Sequence, residues 1–219
     1  RYGTVPLERV VEIAHARDIP VVVDGAAQSF LIRRIIDAGV DLAICSGHKY
    51  LSGTTAGIVA GHRDLIAAVA LQARGIGRPM KVGKEGIFGA MAALEYRMQL
   101  DIDAWQAEQN RKMHHIIAQL SPLPGVAMRE EPDPNGNPFS RARLDLDPKI
   151  AGLNADTLAR AMADGDPSIR LRAHHAEEGY VMIDAIEMDN AEVALTCERI
   201  AGLLSASPQA KQMLNEHYA

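Results

Sequence analysis

The chain alternates short, unbroken apolar runs with longer stretches of helical period. Ile19-Pro20-Val21-Val22-Val23, Leu42-Ala43-Ile44-Cys45 and Gly57-Ile58-Val59-Ala60 are continuous runs bounded by turn residues. They predict strands at 20–24, 41–45 and 57–60, and the lack of polar alternation predicts burial on both faces, as in a parallel sheet. Around them the period changes to 3.6. Leu7, Val10, Val11 and Ala14 share one helical face behind Pro6, with Thr4 as the expected N-cap. Further helices are expected at about 30–38, 63–73 and 84–100, the last carrying Met91, Leu94, Glu95 and Met98 in helical spacing. Asp103 is the expected N-cap of another helix over 104–120.

Pro122, Pro124 and Gly125 end that helix, and the stretch 130–138 is dense in turn residues. Beyond it, strands are expected at 141–145, 169–173 and 180–184, with helices at about 155–164 and 190–205. The tail after Pro208 is weakly patterned. These elements predict an α/β amino-terminal portion, residues 1–83, joined by linking helices at 84–121 to a small α+β domain at 122–219. Three short strands make an incomplete doubly wound sheet, so the chain is expected to be the C-terminal part of a longer protein, or a divergent truncated one.

The ends of the first two strands carry the chemistry. One ends in Asp24-Gly25-Ala26-Ala27-Gln28, the other in Ser46-Gly47-His48-Lys49-Tyr50-Leu51-Ser52-Gly53. In an open parallel sheet ligands sit beyond the carboxyl ends of the strands, so neighbouring strands would deliver Asp24 and Lys49 to one crevice. A lysine held there in a partly desolvated pocket makes the neutral, nucleophilic amine available. An acid to pair with a pyridinium nitrogen and a lysine to form a Schiff base are the two groups that pyridoxal chemistry needs. Alone, each has an ordinary role: the Asp as a turn or helix cap, the Lys as a solvated loop residue.

Composition narrows the classes. At 219 residues and 47% hydrophobic, the chain has the makeup of a folded globular protein. With 23 basic against 28 acidic residues and a net charge of −5, a broad nucleic-acid footprint is disfavoured. No apolar run approaches the roughly 20 residues of a membrane span, and no basic-then-apolar leader opens the sequence, so a cytoplasmic protein without membrane partners is expected. Cys45 and Cys197 are far apart in sequence, which argues against a disulfide framework.

Taken together, Val21-Val22-Val23-Asp24-Gly25-Ala26-Ala27-Gln28, Ser46-Gly47-His48-Lys49-Tyr50-Leu51-Ser52-Gly53 and Ala56-Gly57-Ile58-Val59-Ala60-Gly61 resemble the fold-type-I pyridoxal-phosphate enzymes. The resemblance is to the selenocysteine synthase-like branch, which holds the L-seryl-tRNA selenium transferases and the D-glucosaminate-6-phosphate ammonia-lyases. Gly77-Arg78-Pro79-Met80-Lys81-Val82-Gly83-Lys84-Glu85 is more similar to the lyase side. The likeness is strongest over residues 18–95 and continues more weakly to about residue 200.

The resemblance implies pyridoxal 5'-phosphate as cofactor, Lys49 as the covalent and proton-transferring residue and Asp24 as the partner of the ring nitrogen. It places Gln28 at the ring hydroxyl, and Ser46 and His48 on the phosphate side. Arg78 and Lys81 fall where an anionic substrate group is met, and Arg170 and Arg172 are candidates for a substrate carboxylate. The activity implied is an ammonia-lyase α,β-elimination on a small amino-sugar acid, with the seryl-tRNA selenium transferase or a catalytically incomplete fragment as alternatives. A homodimer or larger oligomer is implied as well. The family's phosphate-binding turn and ring-stacking residue would lie before the Asp-bearing strand and are not located here.

Other motifs carry less. Gly75-Ile76-Gly77 lacks the preceding strand and third glycine of a dinucleotide fingerprint. His114 and His115 are adjacent on a helix and face different directions, which argues against joint metal ligation. His174-His175-Ala176-Glu177-Glu178 has no metal-site spacing and is expected to be a solvated or substrate-facing loop. No metal is expected.

Overall fold

The computed structural model describes residues 5–28 and 30–219, so the expected Thr4 cap lies outside the described residues. The chain forms two compact units, Arg1–Leu100 and Asp101–Ala219. The division falls between two helices, inside the 84–121 stretch that the sequence reading assigns to linking helices.

In the first unit α1 (Leu7–His15) precedes β1 (Val22–Asp24), α2 (Ile32–Asp37) and β2 (Leu42–Ser46). β3 (Gly57–Gly61), α3 (Arg63–Gln72), a single 3-10 turn at Arg78–Met80 and α4 (Lys84–Gln99) follow. The sheet order is β1-β2-β3. β1 and β2 are parallel, in the register Val22↔Leu42, Val23↔Ala43, Asp24↔Ile44. β3 is antiparallel to β2, from Ser46↔Gly57 to Leu42↔Gly61, so this strand departs from the parallel pairing expected of the three runs. Residues 47–56 are too few for a crossover, whereas the segment containing α2 is long enough to return β2 parallel to β1. Burial differs too: β2 is the buried central strand, but β1 lies at the edge with Val22 55% exposed. Val11 of α1, Ile35 of α2, Val40 and Ala43 form the small core of this unit.

Asp41 ties the other end of the two parallel strands. Its Oδ2 accepts from the Val21 amide at 2.6 Å and lies 2.8 Å from His15 Nε2. The backbone amide of Val21 holds the Asp41 carboxyl below its ordinary value, and His15 adds to this.

The second unit contains α5 (Ile102–Leu120), β4 (Val126–Pro132), β5 (Ser140–Leu146), α6 (Pro148–Ala151) and α7 (Ala155–Ala163). It closes with β6 (Tyr180–Ile183), α8 (Asn190–Leu204) and α9 (Pro208–His217). β4, β5 and β6 pair in order, antiparallel throughout. Met113, Ile116 and Leu120 of α5 meet Leu144 and Leu146 of β5, Leu158 and Met162 of α7, Val181 and Ile183 of β6, and Ile200 and Leu204 of α8 in one core.

Four local expectations are corrected here. The cap of α5 is Asp101, whose Oδ1 accepts from the Ala104 amide at 3.0 Å, and Asp103 falls in the first turn. β4 occupies the start of the stretch expected to be loop, because its residues find register partners along the whole of β5. Residues 169–173 do not form a strand: Ile169 donates its amide to Met162 of α7, and within the stretch only Arg172 pairs across to Met182. The weakly patterned tail is helix α9, capped by Ser207, whose Oγ accepts from Ala210, with Pro208 in its first turn.

Candidate active site

Because β1 and β2 run parallel, their carboxyl ends open on the same edge of the sheet, and the two loops leaving that edge are hydrogen-bonded to each other. Gly25 donates its amide to Ile44 at 2.8 Å, and Ser46 donates to Ala26 at 3.0 Å. The segment after Asp24 and the root of the Lys49 loop are therefore one backbone unit. Asp24 Oδ1 accepts from the Ala26 amide at 3.0 Å, a local Asx turn. It does not cap α2, whose first turn follows Leu31 with no side-chain cap.

Two further bonds shape the Lys49 loop. Gly47 donates to Ala56 at 2.8 Å and Gly53 donates to Gly47 at 2.7 Å, closing the loop at its neck. A side chain at Gly47 would sit 2.8 Å from the Thr54 carbonyl oxygen, so only glycine fits that neck. At the tip Ser52 donates to Lys49 at 2.8 Å, with Ser52 at φ 57, forming a tight turn over 49–52. Leu51, 2% exposed, anchors the turn in the interior.

The structure thus brings Asp24, Gln28, Ser46, His48 and Lys49 onto two joined loops at one sheet edge. Ser46 and Gln28 are half-buried, whereas Lys49 and His48 are exposed. This corrects the partly desolvated setting expected for Lys49, and the reason is the turn itself: it commits Leu51 to the interior and directs the start of the loop outward. Arg78 and Lys81 lie on and just after the 3-10 turn, both exposed. Arg170 and Arg172 belong to the second unit. Arg170 is exposed, while Arg172 Nη1 lies 3.5 Å from Asp184 Oδ2. Asp184 also accepts from Arg141 Nε at 2.8 Å, so Arg172 already has a carboxylate partner within its own unit.

No sequence motif marks Arg97. It donates from Nη2 to the carbonyl oxygen of Tyr50, the residue next to Lys49, and its guanidinium lies 3.9 Å from the centroid of the Phe30 ring. The only signal in the sequence was its spacing from Gly86, Gly89 and Ala93 along one helical face.

Pyridoxal 5'-phosphate fits these residues. The amide oxygen Oε1 of Gln28 is buried without a hydrogen-bond partner among the described residues, four positions after Asp24. A ring hydroxyl is the kind of donor that would satisfy it. Asp24 carries an acid and Lys49 an amine on the same edge of the sheet, the two group types that pyridoxal chemistry needs. Among the described residues no group of three or more His, Cys, Asp or Glu is arranged to hold a metal ion. Cys45 and Cys197 are both buried, and burial pushes both thiols above their ordinary values, away from nucleophilic use. Among the described residues no helix is long and apolar enough to cross a membrane.

A D-glucosaminate-6-phosphate ammonia lyase of Salmonella typhimurium is 30% identical over 200 residues, 90% of this chain and 52% of that protein. A 5'-C-glycyluridine monooxygenase-decarboxylase of Streptomyces sp is 39% identical over 190 residues, 86% of this chain and 47% of that protein. A solved D-glucosaminate-6-phosphate ammonia-lyase superposes with a TM-score of 0.72 at 26% identity, covering 100% of this chain and 55% of the other. The chain spans about half the length of these relatives. The relatives imply the same cofactor, pyridoxal 5'-phosphate. The model of the aminotransferase class-V family matches residues 2–141. The chain belongs to that family, the fold-type-I pyridoxal-phosphate enzymes.

Proposed function

We propose that the protein is a pyridoxal-phosphate-dependent lyase acting at the α-carbon of a small amino acid, and specifically an ammonia-lyase for an amino-sugar acid such as D-glucosaminate 6-phosphate. The observation that carries this reading is the parallel register of β1 and β2, with Ser46 bonded to Ala26, which sets Asp24 and the Lys49 loop on one edge. When bound, the cofactor withdraws the electron pair left at Cα after proton removal. Asp24 holds the proton on the ring nitrogen, and Gln28 accepts from the ring hydroxyl. Ser46 and His48 serve the phosphate side. The Lys49 amine removes the Cα proton and returns a proton to the hydroxyl leaving Cβ. Water is lost, the released enamine tautomerises, and hydrolysis gives a 2-keto-3-deoxy acid and ammonia. Arg78 and Lys81 offer positive charge to a substrate phosphate. Arg170 and Arg172 remain carboxylate candidates of the second unit, where a substrate carboxylate would have to compete with Asp184 for Arg172.

A homodimer or larger assembly and a cytoplasmic setting belong to the same reading. A small substrate is favoured over an aminoacyl-tRNA because tRNA binding draws on many phosphate contacts, and the basic residues Arg74, Arg78, Lys81 and Lys84 form one short segment in an acidic chain. The identity to the Streptomyces protein supports a second reading, in which the same Asp24 and Lys49 serve a glycyl-nucleoside substrate that loses its carboxylate and consumes oxygen.

One experiment separates them. The protein loaded with pyridoxal 5'-phosphate is given D-glucosaminate 6-phosphate without oxygen, and 5'-C-glycyluridine in air. Ammonia and keto acid from the first support the lyase. Carbon dioxide and oxygen uptake with the second alone would replace it, and turnover of neither would remove both substrates from consideration.

A further inference from the structure

α4 is two-faced in an unusual way. Its outward residues include Phe88 and Met98, 67% and 87% exposed, while Gly86, Gly89, Ala93 and Arg97 recur one helical turn apart on another face. That second face receives the Lys49 loop. Thr54 donates from Oγ1 to the Gly86 carbonyl oxygen at 2.9 Å. A side chain at Gly89 would sit 2.3 Å from Thr54 Cγ2, and one at Gly53 would sit 2.8 Å from Ala93 Cβ. The loop and the helix therefore touch at distances that only hydrogen atoms on both Cα positions permit. One further turn along, Arg97 holds the Tyr50 carbonyl oxygen and covers the Phe30 ring, whose centroid is 6.3 Å from that of Tyr50.

The contacts flank Lys49 on its C-terminal side at two points. Thr54 fixes the neck of the loop, and Arg97 fixes the Tyr50–Leu51 peptide, the second peptide after Lys49. Lys49 is tied to this clamped segment by its own carbonyl oxygen, which accepts from Ser52 at 2.8 Å, with Leu51 buried beneath the turn. A guanidinium suits this role because a planar group can stack on an aromatic ring while donating in its own plane to a carbonyl.

We propose that Arg97 is a positioning residue for Lys49: it holds the Tyr50 peptide, with Gly89 and Thr54 docking the loop neck, so that the lysine amine is presented in one direction. The inference rests on the reading of Lys49 as the cofactor-binding lysine. Its physical basis is that a reacting amine misplaced by about 1 Å loses on the order of 100-fold in rate.

The test uses Arg97→Leu, Arg97→Lys and Gly89→Ala with two readouts. The first, amide hydrogen exchange over residues 48–55 without cofactor, reads the clamp itself; Arg97→Leu should exchange about tenfold faster there, with α5 and β5 unchanged. The second is borohydride trapping of pyridoxal 5'-phosphate, quantified on the Lys49 peptide. It should fall about tenfold in Arg97→Leu and Gly89→Ala and recover in part in Arg97→Lys, which keeps a donor. Unchanged exchange in Arg97→Leu would overturn the clamp. Faster exchange with undiminished trapping would overturn its service to Lys49. Should wild-type Lys49 trap no cofactor, the proposed function fails first, and the positioning role fails with it whatever the exchange shows.

Discussion

Ser46 donates its amide to the carbonyl oxygen of Ala26 at 3.0 Å, and this bond joins the loop behind Asp24 to the root of the loop that carries Lys49. The acid and the amine are thereby parts of one backbone assembly. A displacement of either strand end moves both.

Lys49→Ala should leave the fold intact and abolish cofactor trapping. The side chain is exposed, so the stability change should stay within about 0.5 kcal/mol. Mass spectrometry after borohydride reduction, alongside urea unfolding, checks both halves. A wild-type level of trapped cofactor in the variant would place the covalent site elsewhere.

Asp24→Asn is nearly isosteric, and its amide oxygen can still accept from the Ala26 amide, so the turn after β1 should survive. The amide cannot hold a proton on a ring nitrogen. Turnover should fall by about 100-fold or more, the scale of losing one preorganised electrostatic partner. Steady-state kinetics with circular dichroism would reveal whether the loss is chemical or structural, and an equally active variant would reduce Asp24 to a turn residue.

Gly61→Ala should unfold the first unit selectively. Gly61 has φ 151, and a Cβ there would sit 2.0 Å from the Asp41 carbonyl oxygen, beside the pairing of Leu42 with Gly61. Strain plus a lost strand pairing should cost about 3 kcal/mol. Hydrogen exchange should rise in β2 and β3 while β5 and β6 stay protected.

The second unit should lose stability in acid through Asp133. Burial pushes its carboxyl up, but the Arg141 guanidinium at 2.9 Å and bonds from Asn135 and Asn137 outweigh this and hold it below its ordinary value. Its stabilisation is therefore complete above the unfolded carboxylate value of about 3.9 and is lost as pH falls through the lower folded value. Asp133→Ala leaves Arg141 without this buried carboxylate partner and should cost roughly 3 kcal/mol at pH 7. Urea titrations at pH 7 and in acid should show the variant's stability changing less with pH than the wild type's.

The continuous apolar runs at 42–45 and 57–60 were enough to place β2 and β3, and the polar residues that end the first two strands were enough to point to Asp24 and Lys49. These are local matters. A strand needs apolar residues of suitable length, and a site at a strand end needs only that its residues follow that strand. The 3.6-residue period likewise marked α1, α4, α7 and α8, because an amphipathic face is written into the chain itself.

Other features depended on what met what. The short 47–56 segment turned β3 antiparallel, a constraint of reach that apolar content does not express. β4 exists because seven consecutive residues find partners on β5, although turn-prone residues crowd its end. Residues 169–173 have strand composition, yet the bond from Ile169 to Met162 diverts them to α7. Arg97 had no mark of its own, since a positioning contact is defined by its partner: the Tyr50 carbonyl is 47 residues away in sequence. The sequence by itself determined which residues are candidates for the chemistry, because reactivity belongs to side-chain type and local order. The tertiary structure alone decided how they are aimed, because direction is set by backbone contacts between segments that the chain order keeps apart.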